Sequence, residues 1–345
     1  MHRNLIVAAI IATLIATPAA LAGDDDRHRD RSQTLAIIGD IPYGVAQVAA
    51  FPGEIAQINA DPKVERVIHL GDIKNGSSRC DTTYFQARLA DFGRFEDPLV
   101  YTPGDNEWTD CHRASNGAYL PTERLSTLRR LFFRRPGRTL GQERAAVRFQ
   151  SDAFPENVLW RDDRVVFGTV HVVGSNDDQA PWFGDRKDPA SGAPMPETVT
   201  ETALRSREYI RREAAALAWI DAIFDDAQRR GAAGVVLGMQ ADMYDGAADD
   251  QSAFAPIKAV IADRAASFGK PVLLLEGDSH VFKVDKPAGM PANVVRVVVQ
   301  GSTSVPHEWL RLRVDRSSPT VFSCERVEFG SGAVSACPAP LAPAP

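Results

Sequence analysis

Leu35-Ala36-Ile37-Ile38-Gly39-Asp40 is the stretch that decides how this chain is read. A short apolar run stops at Gly-Asp, the pattern of a buried strand whose carboxyl end opens into a loop. The same cassette returns at Val67–Asp72, Val100–Asp105 and Leu273–Asp278. The pairs Gly23-Asp24 and Gly184-Asp185 follow no such run, so the pattern is more than dipeptide frequency. Open α/β sheets take ligands just outside the carboxyl ends of their strands. Four carboxylates on one rim repel each other unless something cationic lies between them. The cassettes therefore point to a metal site.

The segments between the cassettes alternate in type. Residues 44–60 and 82–95 read as helices after the first two cassettes, as βαβ connections require. The pattern predicts a helix over Arg124–Arg135 with a basic face (Arg124, Arg129, Arg130, Arg134 and Arg135), open either to an anionic partner or to nearby acids. Residues 136–163 read as irregular, and Arg164–Val173 as a strand ending in Gly174-Ser175-Asn176-Asp177, which is either an ordinary turn or a segment reaching the site. A helix over 199–229 carries Leu217, Ile220 and Phe224 as its apolar stripe, with Thr198–Glu201 as a candidate cap. Strands at Gly234–Met239 and 271–276 flank a helix at 250–268, and β structure over Val294–Gln300, Leu310–Val314 and Pro319–Val327 closes the chain. Helices lie between strands throughout, which indicates one layered α/β domain.

The 345 residues suffice for a large core. Arg3, the apolar stretch Leu5–Ile15 and Ala20-Leu21-Ala22 read as a secretory signal peptide over 1–22, followed by a solvated linker at 23–33. The stretch is short for a membrane span, so no stable anchor is expected after cleavage, although an uncleaved anchor is the minor alternative. The chain holds 39 basic and 45 acidic residues, a net charge of −6, a poor match for a nucleic-acid backbone. A periplasmic or secreted location fits four cysteines taken as two disulfides. Cys324 and Cys337 flank a hairpin turn signature at Glu328–Gly332, and Cys80 and Cys111 each follow a Gly-Asp cassette. A cysteine-based zinc site lacks the C-x-x-C spacing.

Five segments in order, namely Asp40-Ile41-Pro42, Gly71-Asp72, Gly104-Asp105-Asn106-Glu107, Met239-Gln240-Ala241-Asp242 and Gly277-Asp278-Ser279-His280, resemble the ligand loops of the calcineurin-like metallophosphoesterase family over roughly residues 34–305. The resemblance implies a four-layer αββα sandwich over 34–313; the turn signature adds a C-terminal β-hairpin at 314–337, and the Pro/Ala composition an unstructured tail at 338–345. It also implies divalent-metal-dependent hydrolysis of a small phosphorylated substrate through a metal-bound hydroxide. By that pattern Asp72 would bridge two ions, Asp40 and His280 would hold the first, and Asp105, Asp278 and Gln240 (or Asp242) the second. A single-ion site stays open. Asp72, Asn106 and His280 are the candidate catalytic residues, and Tyr43, Asn75, Asn106, His112 and Arg113 the candidate substrate contacts.

The departures from the family pattern share a direction. Pro42 stands where the first motif has a His, Asn75 where the purple acid phosphatase branch has a Tyr, and Asn106 where a His assists the leaving group. Asp105 replaces an Asn, Asp278 a His, and Met239 or Gln240 another His. An oxygen-rich set with one imidazole favours Mg²⁺, Mn²⁺ or Ca²⁺ over zinc. Asp40 and Asp72 read singly would be helix N-caps. His69 and His171, inside apolar strands, read as core residues, and Trp108 as buried against the rim or stacked on substrate. Lys74, Arg79 and Arg113 are candidates for phosphate oxygens. The rival reading is a binding protein that kept a metal or anion pocket without turnover, since Asn106 cannot protonate a leaving group. An exported nuclease is a weaker third.

Overall fold

The computed structural model describes residues 32–246 and 250–338. The expected signal peptide at 1–22 and almost all of the 338–345 tail lie outside the described residues. In chain order the elements are β1 (Ser32–Ile38), α1 (Gly44–Asn59), β2 (Val64–His69), α2 (Thr82–Phe92), β3 (Leu99–Tyr101), α3 (Pro121–Phe132), β4 (Arg148–Ser151), β5 (Phe154–Asp162) and β6 (Val165–Thr169). There follow α4 (Val199–Arg229), β7 (Gly234–Gly238), α5 (Ala255–Phe268), β8 (Val272–Glu276), β9 (Lys283–Asp285), β10 (Val294–Val298), β11 (Glu308–Asp315), β12 (Phe322–Glu328) and β13 (Val334–Ala336).

The strands form two sheets. One runs β13-β12-β11-β1-β2-β3 and the other β4-β5-β6-β7-β8-β10-β9. Within the first, β1, β2 and β3 are parallel neighbours; within the second, β6, β7, β8 and β10 are. Strand alternation builds the layers. Leu35 and Ile37 of β1 point between the sheets, where they meet Leu273, Leu275, Val295 and Val297. Ala36 and Ile38 point the other way, onto Phe51 and Ile55 of α1 and Phe85 of α2. Trp219, Ile220, Ile223 and Phe224 of α4 and Ile257 and Ile261 of α5 cover the far face of the second sheet. The result is a four-layer αββα sandwich. Among the described residues no helix is long and apolar enough to cross a membrane.

Two expectations need correction. Residues 136–163 are not irregular, because β4 and β5 lie there; Val158, Leu159 and Trp160 are buried, but Pro155 and the charged Arg161-Asp162-Asp163 hide the run. The linker ends earlier than residue 33, since Ser32 and Gln33 already pair with Asp315 and Val314 of β11. The expected C-terminal β-hairpin forms as β12–β13, and β11, hydrogen-bonded to β1, carries it into the first sheet.

Both disulfides form. Cys324–Cys337 closes the β12–β13 hairpin, and Cys80–Cys111 joins the loops beyond β2 and β3 with Cα atoms 5.8 Å apart. Thr198 caps α4 as a capping box, accepting from the Glu201 N–H at 3.2 Å while Glu201 accepts from the Thr198 N–H at 2.7 Å. The basic face of α3 is partly spent on its own fold: Arg124 is buried and donates to the Cys80 carbonyl, and Arg129 pairs with Glu156.

Candidate metal centre

The parallel strands β1, β2 and β3 deliver Asp40, Asp72 and Asp105 to one rim of the first sheet, while β7 and β8 bring Gln240 and Asp278 to the facing rim of the second. Asp40, Asp72 and Asp278 have φ of 55°, 58° and 67°, in the left-handed region that aspartate tolerates better than most residues. Two of the four cassette glycines make room for the acid of another cassette, and Gly71 makes room for the backbone of Gly104. A Cβ on Gly104 would lie 2.1 Å from Asp72 Oδ1, and one on Gly277 would lie 2.6 Å from Asp40 Oδ2. Gly-Asp therefore recurs because the loops interlock.

Two overlapping groups of donor atoms result. Oxygens of Asp40 and Asp72 and a ring nitrogen of His280 lie within 4.8 Å of one another, and so do oxygens of Asp72, Asp105 and Asp278. His280 Nε2 is 3.4 Å from Asp40 Oδ1 and 3.3 Å from the Tyr43 hydroxyl; its Nδ1 meets Thr303 Oγ1 at 2.8 Å. Asp72 Oδ2 accepts from the Tyr43 hydroxyl at 2.9 Å and from Asn106 Nδ2 at 2.5 Å, while Oδ1 accepts the Asn106 N–H at 3.1 Å. Gln240 Nε2 donates to Asp105 Oδ1 at 3.0 Å and Asp278 Oδ1 at 3.1 Å.

The electrostatics favour a cation here. Burial pushes the Asp40 carboxyl above the usual range even though His280 pulls it down. Asp72 and Asp278 are pushed well up, by burial first and then by the negative charge of Asp105 and the other acids. The imidazole of His280 is held up by Asp40, which outweighs the opposing effect of burial. Three buried carboxylates, the half-buried Asp278 and one imidazole form an oxygen-rich donor set that fits a divalent cation.

The other residues singled out in the sequence are divided. Tyr43 and Asn106 join the cluster, bonded to each other at 2.9 Å and to Asp72. Tyr43 stands edge-on to His280 instead of presenting a stacking face. Arg113 is half-exposed on the rim and paired with Asp110 at 2.5 Å. Asn75 turns its side chain to Ser77 and Ser78, capping its own loop. His112 accepts the Phe183 N–H at 2.8 Å, and burial, helped by the Arg113 charge, pulls it down to about 4. Lys74 is fully buried and donates to the carbonyls of Asn75 and Asn106, so it braces the loops and does not reach outward. Arg79 pairs with Asp81 at the surface. Of the two alternatives on β7's loop, Gln240 enters the cluster and Asp242 is taken by Arg296. His69 and His171 are core residues, bonded to the Ile41 carbonyl and to Glu156, and Trp108 is buried.

Three further residues support the cluster. Glu107 Oε1 accepts the N–H groups of Asp72 (3.1 Å) and Gly104 (2.7 Å) and the Tyr101 hydroxyl (2.8 Å), fixing two cassettes from beneath. Its place in Gly104-Asp105-Asn106-Glu107 was the available signal. Ser175 Oγ donates to Asp105 Oδ2 at 2.8 Å, so the Gly174–Asp177 tetrapeptide is a segment that reaches the site. Thr303 reaches His280 from the loop beyond β10, with no motif to mark it.

No family profile and no curated protein matches the chain. Among solved structures it is similar to GAP50, the anchor in the inner membrane complex of Plasmodium, at 7% identity and a TM-score of 0.50, covering 89% of this chain and 88% of that one. It is also similar to a putative 5′-nucleotidase from Staphylococcus aureus in complex with α-ketoglutarate, at 11% identity and a TM-score of 0.43, covering 89% of this chain and 53% of that one. The chain thus spans about half the length of the second protein. These are likenesses of fold alone.

Proposed function

We propose that this chain is an exported, divalent-metal-dependent hydrolase of phosphate esters or anhydrides acting on a small phosphorylated substrate. The observation that carries this reading is the meeting of Asp40, Asp72, Asp105, Asp278 and His280 from two sheets in one cluster, its first three acids buried and Asp278 and His280 half-buried. Asp40, Asp72 and His280 would hold a cation, with Asp105 and Asp278 beside them. Bound there, a divalent ion supplies Lewis acidity toward phosphoryl oxygens and toward water.

The chain's own groups supply positioning. Asn106 and Tyr43 fix the Asp72 carboxylate from two directions, and Thr303 sets the His280 ring so that Nε2 faces Asp40. Arg113 lies beside Asn106, both packed against Gly76, where its guanidinium would pair with a phosphoryl oxygen. Two disulfides fit an oxidising compartment outside the cytoplasm.

One observation favours the rival reading of a binding protein without turnover: the Asn106 amide is spent on Asp72 and Tyr43 and offers no proton to a leaving group. Hydrolysis of aryl phosphate mono- and diesters with Mg²⁺, Mn²⁺ or Ca²⁺ decides between them. Metal-dependent turnover lost in Asp72→Asn supports the hydrolase; cation uptake without turnover on either ester supports the binding protein.

A further inference from the structure

Accepting that the cluster takes a metal, we infer that its Asp105/Asp278 half is closed by the chain's own Gln240 amide, so that the centre holds a single divalent cation at Asp40, Asp72 and His280. The orientation of Gln240 follows from its partners. Its Oε1 accepts the Gly174 N–H at 2.6 Å, and its Nε2 faces Asp105 Oδ1 and Asp278 Oδ1 at 3.0 and 3.1 Å. A backbone N–H only donates and an ionised carboxylate only accepts. Turning the amide over would set nitrogen against the N–H and oxygen against two carboxylates, with Gln240 and Asp105 buried. Gln240 thus offers those acids a neutral donor, and no oxygen to a cation.

The segment beneath the amide cannot move aside. A Cβ on Gly174 would lie 2.7 Å from both Asp278 carboxylate oxygens and 2.9 Å from Asp105 Oδ2, so the backbone is already against the acids. Ser175, Asn176, Asp177 and Asp178 that follow have φ of 54°, 51°, 52° and 65°, a left-handed run that non-glycine residues adopt only under tertiary constraint. Each is tied down. Ser175 Oγ donates to Asp105 Oδ2, Asn176 Oδ1 accepts the Ala253 N–H at 2.9 Å, Asp177 is bound by Arg212, and Asp178 Oδ1 accepts Trp182 Nε1 at 2.8 Å. Both oxygens of Asp105 therefore accept from neutral donors held in place. On the other side Asp72 also accepts from the Asn106 amide and N–H, but the group between Asp72 and His280 is the Tyr43 hydroxyl, which turns about its C–O bond and presents lone pairs as readily as a proton.

The test is the manganese stoichiometry of the full-length protein, read by elemental analysis and by electron paramagnetic resonance after titration with Mn²⁺. Wild type is expected to take up one ion per chain and give the spectrum of an isolated Mn²⁺. Gln240→Glu, which keeps the shape but replaces the donor by a ligand oxygen, is expected to take up a second ion and show spin coupling. Gln240→His serves the same end if the Glu variant does not fold. Two coupled ions in wild type overturn the inference and leave the metal reading intact. Folded variants that stay at one ion also overturn the role given to Gln240. No uptake by wild type overturns the metal reading and the inference with it.

Discussion

The backbone N–H of Asp278 donates to both carboxylate oxygens of Asp40, at 3.1 Å each. Asp40 follows β1 and Asp278 follows β8, so this contact fastens the carboxyl edge of one sheet to that of the other. It also aims the Asp40 carboxylate at His280. The joint between the layers and the candidate centre are made of the same atoms.

Gly277→Ala should disable the centre without removing a ligand. The new methyl would lie 2.6 Å from Asp40 Oδ2, so the carboxylate must shift. The cost expected for such overpacking is about 1–3 kcal/mol, read by denaturant titration. Cation uptake should fall with it; unchanged uptake would show that Asp40 is not a ligand.

Asp72→Asn should lower kcat at least about 100-fold, a loss of about 2.7 kcal/mol of transition-state stabilisation. Cation-dependent stabilisation should vanish too. At a cation concentration of about 100 times Kd, wild type gains about 2.7 kcal/mol and the variant nothing, which a thermal-shift series with and without Mn²⁺ measures.

Glu156 gives stability an acid limit. Burial alone would raise this carboxyl, but Arg129 and His171 outweigh it and hold it at about 2, below its ordinary 4.5. A depressed carboxyl stabilises the fold fully above its unfolded value, and that contribution is lost as pH falls through the folded one. Arg129 is the partner that matters, because burial lowers His171 and favours its neutral form. Between pH 4.5 and 2 the loss amounts to about 3 kcal/mol. Urea titrations across that window should show the slope in wild type and a flatter dependence in Glu156→Gln.

Breaking Cys80–Cys111 should loosen the loops that carry Asp72 and Asp105. The bridge spans 31 positions, for which chain-entropy arguments give about 3–4 kcal/mol. Cys80→Ser with Cys111→Ser should therefore lower Tm and weaken cation binding together. Lower Tm with unchanged affinity would show that Glu107 and Lys74 suffice to hold the rim.

The layers were legible because their causes are local. Apolar runs ending in Gly-Asp marked β1, β2, β3 and β8, and Thr198–Glu201 marked the start of α4, since alternation, chain reversal and capping depend on neighbours in sequence. β5 was missed because Pro155 and the charges after Trp160 break the pattern, while its burial comes from pairing with β6.

By itself, the sequence determined that strands and helices alternate, that acids end the strands and that the cysteines form two pairs. Only the tertiary structure decided which of those groups face one another. It set Gln240 instead of Asp242 between Asp105 and Asp278, buried Lys74 under carbonyls, spent His112 on Phe183 and brought Ser175 and Thr303 to the centre. The reason is one of range. A cassette's local shape follows from the few residues beside it, whereas a carboxylate's partner is chosen by how two sheets, more than 200 positions apart at Asp40 and Asp278, stack against each other.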